Sequence, residues 1–260
     1  MLRGGALKDV DAVVMVHPSA VNDVAPPFMA VAKVRVRYTG RASYVVGAPA
    51  CAVNALDAAV TAYTSAAAMR QHMRPSWKIH GVITNGGVVA SVVPDEAELY
   101  YYYRAPNAIE LEQLRRLLDN CFQGAAVSTG CALDLDWQGG YEPLLSNAPL
   151  ADAFRRHTAA LGLRLDEPRS GLSKVVFMAS SDIGHVSHRV PTIQPTFTIC
   201  SAPNHTPEFA AAAAHKDAQA PTLLMAKAMA LTGLDLFRDP GLLPEVRKNF
   251  AENRAPSSTN

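Results

Sequence analysis

Four consecutive tyrosines, Tyr100 to Tyr103, constrain this chain more than any other stretch. So dense an aromatic run favours a strand, and in a strand successive side chains point to opposite faces. Both faces of the sheet that holds it must therefore meet something large and partly polar. The run lies in the second of two β-rich segments, residues 77–84 and 98–104. Between them stand Asn85-Gly86-Gly87 and Val92-Val93-Pro94-Asp95, which is turn chemistry. The pattern predicts an antiparallel hairpin with one face on helices and the other open to solvent, a partner or a ligand.

The flanking segments supply the rest of a sheet. Residues 29–38 alternate strictly, with Val31, Lys33, Arg35 and Arg37 against Ala32, Val34, Val36 and Tyr38, a half-buried strand with one cationic face. Residues 40–49 read as a loop, and an Ala-rich stretch, 53–69, carries Leu56, Ala59, Val60 and Tyr63 at helical spacing. After the hairpin a second helix starts at Pro106 or Asn107 and closes near Gly124 or Gly130, followed by an alternating strand at 131–137. The order from 29 to 137 is β-α-β-β-α-β, the split βαβ or ferredoxin-like arrangement.

Outside that span the composition is that of an α/β domain. Residues 11–16 read as a buried strand, ending at His17-Pro18-Ser19. Residues 147–162 read as a helix, 174–178 and 196–200 as strands with a polar loop at 180–187 between them. A long Ala-rich helix runs from Phe209 through Ala230, and the tail from Gly241 is polar. The expected organisation is a small domain, 29–137, inserted into an α/β domain formed by 1–28 and 138–260. A buried strand so close to Met1 lacks the neighbours it needs, so the chain reads as N-terminally truncated.

Composition bounds the function. The apolar fraction of 49% and charged fraction of 18% describe a folded globular chain. Lys+Arg 24 against Asp+Glu 23 provides no basic surplus for nucleic acid. No uninterrupted apolar run approaches the ~20 residues of a membrane span, and Lys8, Asp9 and Asp11 interrupt any signal-peptide core. Cys51, Cys121, Cys131 and Cys200 have no CxxC spacing, so a reducing, cytoplasmic setting is expected.

No GxSxG, GxxxxGK[ST] or GxGxxG is present, which leaves serine hydrolysis and phosphate cradling without support. A lone histidine is ordinarily a satisfied core or surface residue, and His72, His157 and His215 read that way. His17 and His205 differ, since each follows a predicted strand, where α/β domains place ligands. Together they could share a metal, although two ligands alone do not make a zinc site. Asn204-His205-Thr206 has the start of a helix as its second reading.

The motifs HPS at 17–19, GRAS at 40–43, VNALDA at 53–58, HGVITNGG at 80–87, VVPDEAEL at 92–99, YRAP at 103–106, SSDIG at 180–184 and NHT at 204–206 occur in an order that resembles the zinc metallopeptidase family M-twenty. The amidohydrolase branch that includes the Xaa-Arg (β-alanyl-lysine) dipeptidases and aminobenzoyl-glutamate hydrolase is the most similar. The resemblance implies a partial three-layer α/β/α zinc-hydrolase domain with an inserted ferredoxin-like α+β lid or dimerisation domain, and a homodimer formed through that lid. It implies His17 and His205 as metal ligands and places Asp182 near the active site. Arg104 and His80 fall in lid motifs near the substrate, a dipeptide or N-acyl amino acid. The implied chemistry is two Zn²⁺ ions holding a water that a glutamate deprotonates for attack on an amide carbonyl.

The departures from the family pattern are as informative. The family's early ligands and its Glu-Glu pair precede the strand at 11–16 and are absent from this sequence. Tyr44 stands where relatives carry a lid histidine that stabilises the oxyanion in a neighbouring subunit. Ser91 replaces a common asparagine, and Ala50-Cys51-Ala52 a Trp-Glu-Gly. The expectation is a family member inactive as given, with a non-catalytic dimeric binding or scaffold protein as the alternative.

Overall fold

The computed structural model describes residues 2–44, 46–47, 49–163 and 179–254. The chain divides into two compact units, Met29–Pro143 and the flanking Met1–Phe28 with Leu144–Asn260. The predicted strand at 174–178 lies outside the described residues.

In the flanking unit the first strands are short. Strand β1 is Val13–Val14 and β2 is His17–Ser19, so the strand expected over 11–16 shrinks to two half-buried residues and His17 opens a second strand instead of ending the first.

In the inserted unit β3 (Ala30–Thr39), β5 (Lys78–Asn85), β7 (Glu96–Ala105) and β8 (Ala132–Tyr141) form one antiparallel sheet in the order β5-β7-β3-β8. Strand β8 runs four residues beyond the expected end at Trp137. Two residues of the expected loop, Ser43–Tyr44 (β4), pair with Val92–Val93 (β6) inside the hairpin connection. Helices α1 (Ala55–Met69) and α2 (Ala108–Thr129) cover one face. Asn54 caps α1 by accepting from Leu56 N and Asp57 N, and Asn107 caps α2 by accepting from Glu110 N. Helix α2 stops at Gly130, whose φ of 74° is left-handed and suited to glycine.

The two faces of β7 divide the tyrosines. Tyr101 and Tyr103 point with Leu99 into a core closed by Val34, Val36, Tyr38, Leu114, Leu118 and Phe122. Helix α1 buries only alanines there, which lets it lie close on the sheet. The Tyr38 hydroxyl donates to the Phe122 carbonyl at 2.9 Å, so its one polar atom is satisfied. Tyr100 and Tyr102 lie on the other face, which the helices leave uncovered.

After β8 the flanking unit resumes with α3 (Ala148–Ala160) and α4 (Ile183–Ser187), the latter inside the segment expected to be a polar loop. Strands β9 (Thr192–Ile193) and β10 (Thr196–Thr198) pair in parallel with β1 and β2 respectively. The expected single Ala-rich helix is broken into α5 (Pro207–Ala214) and α6 (Gln219–Arg238), because His215 adopts an extended backbone. The tail expected to be merely polar forms α7 (Leu242–Arg254), anchored by buried Leu242 and Val246. These pack with Leu150, Phe154, Ile193, Phe197 and Met225 as a second core.

Candidate functional site

Two groups of candidate residues lie in different units, and each is built by its own sheet. In the flanking unit the register sets His17 of β2 beside Thr196 of β10. His17 Nδ1 lies 2.7 Å from the Pro18 carbonyl. A carbonyl oxygen only accepts, so Nδ1 carries the proton and Nε2 keeps its lone pair for a ligand. The same carbonyl accepts from Asn204 Nδ2 at 3.0 Å. That bond ties the loop after β10, at the residue before His205, to β2 at the residue after His17.

His205 is the one non-glycine residue with positive φ among those described, at 67°. Such a backbone costs a non-glycine residue about 1–2 kcal/mol and tends to persist where a side chain must be aimed. Thr206 follows as the cap of α5, accepting from Phe209 N at 3.2 Å. The helix-start reading of Asn204-His205-Thr206 holds at Thr206, which caps the helix, and exposed His205 stands just outside it.

Asp182 precedes α4, is exposed and makes no side-chain cap. His17, with its second ring nitrogen on a carbonyl, suits zinc chemically. Two imidazoles are nevertheless fewer than the three or four ligands such a centre takes. Among the described residues no group of three or more metal-binding side chains converges. The described residues do not complete a metal site.

In the inserted unit the open sheet face carries cross-strand rows. Lys78, Arg104, Val31 and Tyr141 form one; His80, Tyr102, Lys33 and Gln138 form the next; Val82, Tyr100, Arg35 and Asp136 a third. The first two rows gather Lys78, Arg104, His80 and Lys33 at one end of the sheet. Partial burial, together with the charges of Arg104, Arg70 and Lys78, pushes the His80 pKa down, so its ring is neutral near pH 7. Burial also lowers the Arg104 pKa while leaving the guanidinium charged. The Lys33 ammonium, hydrogen-bonded to Tyr102, holds that phenol below its usual value, whereas burial raises the Tyr103 phenol to about 12. A cationic, partly desolvated corner of this kind is suited to a carboxylate.

The remaining lid candidates stand elsewhere. Tyr44, 57% exposed, lies on β4 opposite Val92, and exposed Ser91 immediately precedes β6. Both are near the Glu96 end of β7, on the order of 25 Å along the strand from Arg104. The structure therefore groups His80 with Arg104, and Tyr44 with Ser91, as two separate places in the inserted unit. Sequence reasoning missed Lys78 and Lys33 as companions of Arg104. The signal was available, since period-two alternation puts Lys33 on the cationic face and hairpin register puts Lys78 opposite Arg104.

No family model matches the chain. It is 41% identical over 255 residues to the Xaa-Arg dipeptidase of Mus musculus, covering 96% of this chain and 58% of that protein. It is 25% identical over 307 residues to a p-aminobenzoyl-glutamate hydrolase polypeptide of Escherichia coli (strain K12), covering 97% and 64%. The chain thus spans less than two thirds of the length of these relatives. Among solved structures, a dinuclear metal-binding peptidase of family M-twenty from Bacillus subtilis superposes with a TM-score of 0.64 at 16% identity, covering 90% of this chain and 60% of that one. The aminobenzoyl-glutamate utilization protein of Klebsiella pneumoniae gives 0.63 at 19%, covering 89% and 57%. These two likenesses establish a shared fold.

Proposed function

We propose that this chain belongs to metallopeptidase family M-twenty and serves hydrolysis of the amide bond in a dipeptide or N-acyl amino acid. The identity to Xaa-Arg dipeptidase over 96% of the chain carries this reading. Arg104, with Lys78 beside it, holds the substrate carboxylate through paired N–H donors. Neutral His80 offers a further hydrogen bond. His17 and His205 contribute two nitrogens toward a metal of the Zn²⁺ type, which supplies Lewis-acid activation of water when bound. Asp182 lies in the same unit as these histidines. The described residues include neither the further ligands nor a base placed beside them, and in this reading they bind substrate without turning it over.

A homodimer through the inserted unit completes the proposal. Edge strand β5 exposes Val82 on the open face and Ile83 on the opposite one, and α1 exposes Val60 and Tyr63. An unpaired edge next to an apolar helix face favours a second copy adding strand to strand. Tyr44 then acts as a hydroxyl donor on a surface remote from its own Arg104. The four unpaired cysteines suit a reducing, cytoplasmic compartment.

Calorimetry with alanyl-arginine tests the reading. Binding is expected for the chain, with at least a tenfold loss in Arg104→Met and no product released with or without Zn²⁺. Equal binding by Arg104→Met removes the carboxylate role, and turnover by these residues alone removes the claim of incompleteness. Light scattering tests the dimer, which Ile83→Asp should convert to monomer.

A further inference from the structure

The open face of the inserted sheet is segregated by charge along its strands. Toward the Glu96 end of β7 the cations have carboxylates: Arg35 and Arg37 both reach Glu98, and the register sets Asp136 opposite Arg35 and Asp134 opposite Arg37. The two rows at the Arg104 end hold Lys78, Arg104, His80 and Lys33 and no carboxylate. Asp136 is one row away and accepts from the Gln138 amide at 2.6 Å, and Glu142 lies past the end of β8. The cations of this corner rest on neutral groups. Lys78 Nζ donates to the Pro75 carbonyl at 2.9 Å, and Arg70 beside it donates to the Ile79 carbonyl at 3.4 Å. The Lys33 ammonium stands 5.0 Å from the centroid of the Tyr102 ring, an attraction that holds the side chain without cancelling its charge. The charges that act on His80 are those of Arg104, Arg70 and Lys78, all positive.

Lys78 and Arg104 are paired directly across β5 and β7, and like charges so placed are destabilising until an anion joins them. One substrate carboxylate answers that pair and leaves Lys33 over. Lys33 sits on β3 diagonally from Arg104, a spacing of about 7–8 Å between backbones that long side chains bridge. We propose that Lys33 is a specificity-determining residue that takes a second carboxylate, so that the substrate is one whose C-terminal residue carries an acidic side chain. The inference deepens, and rests on, the reading that Arg104 holds the substrate's terminal carboxylate. Tyr100 and Tyr102, edge to face with ring centroids 5.5 Å apart, give the methylenes between the two carboxylates an apolar floor. A basic C-terminal side chain would add a cation where these rows offer it no carboxylate.

Calorimetry tests it with three dipeptides that differ in one side chain: alanyl-glutamate, its uncharged isostere alanyl-glutamine, and alanyl-arginine. The 260-residue chain should bind alanyl-glutamate about fivefold tighter than alanyl-glutamine, the upper range for an exposed charge pair, with alanyl-arginine weakest. Lys33→Met should bring alanyl-glutamate down to the alanyl-glutamine value and leave alanyl-glutamine itself within about twofold. Lys33→Arg keeps the charge and should keep the preference. Raising salt from ~0.05 to ~0.5 M should narrow the gap between the two, because the second contact is screened. A preference unchanged in Lys33→Met, or alanyl-arginine bound as tightly as alanyl-glutamate, overturns the inference and leaves the carboxylate role of Arg104 standing. Binding of none of the three, or binding of all three undiminished in Arg104→Met, removes that role and the inference with it.

Discussion

Strands β3, β7 and β8 run ten residues each in one continuous sheet, whereas β1, β2, β9 and β10 run two or three. The inserted unit closes its core with aromatics from both layers and satisfies Tyr38 inside it. The flanking unit leaves Ser19 Oγ, Thr196 Oγ1 and both amide atoms of Gln194 buried without partners among the described residues, and leaves Leu223, Leu234 and Phe237 of α6 exposed. Packing density and hydrogen-bond satisfaction are properties of a finished sheet. Among the described residues the inserted unit shows both, and the flanking unit does not.

The largest test of that contrast is a core truncation in each unit. Phe122 and Phe154 are both fully buried, and replacing either with alanine should cost about 3–5 kcal/mol. The units are compact separately, so thermal unfolding is expected in two steps. Phe122→Ala should lower only the step of the inserted unit and Phe154→Ala only the other. A single transition shifted equally by both would break the comparison.

A smaller effect probes the close fit of the finished sheet. A Cβ on Gly140 would stand 2.0 Å from the Val31 carbonyl oxygen, backbone that cannot swing aside, at the irregularity in the β3–β8 pairing. Gly140→Ala should cost about 1–3 kcal/mol in chemical denaturation of the inserted unit. Gly139, with nothing within 4 Å of its added Cβ, provides the control that should change little.

The same contrast decided what the sequence could reveal. Tyr100–Tyr103 and the alternation around Lys33 made the four-stranded sheet legible, because period-two burial is written locally once one face is covered. Boundaries slipped by a few residues, as with β8, since edge pairing depends on a neighbour and not on propensity. In the flanking unit the reading failed where tertiary contacts overrode local signals. The tail beyond Gly241 looked polar because only Leu242 and Val246 of α7 enter the core, and the expected continuous helix broke at His215. For the candidate site, His17 and His205 were visible as residues after strands. The Pro18 carbonyl that joins their segments was not, because a backbone acceptor has no sequence signature.

Gln194 offers a way to sharpen the difference from the other side. Its amide is fully buried and neither end is hydrogen-bonded among the described residues. Gln194→Leu removes a desolvated polar group at nearly constant volume, so the flanking unit should gain about 1 kcal/mol. A comparable loss would mean that the amide is satisfied in solution and that the flanking sheet is more complete than its pairing indicates.

The smallest expected effect lies on the open face of the finished sheet. Glu98 accepts from Arg35 at 3.0 Å, Arg37 at 3.4 Å and Thr84 at 2.8 Å. Partial burial works against the carboxylate, but the Thr84 and Arg35 hydrogen bonds outweigh it and hold its pKa below the usual range. Both arginines are about half exposed, so screening limits the contribution, and Glu98→Gln should cost about 0.5–1 kcal/mol. A depressed folded pKa adds stability above the unfolded carboxylate value, and that stability is lost as pH falls through the folded value. The mutant and the parent chain should therefore differ at pH 7 and converge in acid, with ~1 M salt narrowing the gap at neutral pH. A gap that persists at low pH would assign Glu98 to packing against Tyr100 and not to charge, and the open face would then owe its order to the tyrosines alone.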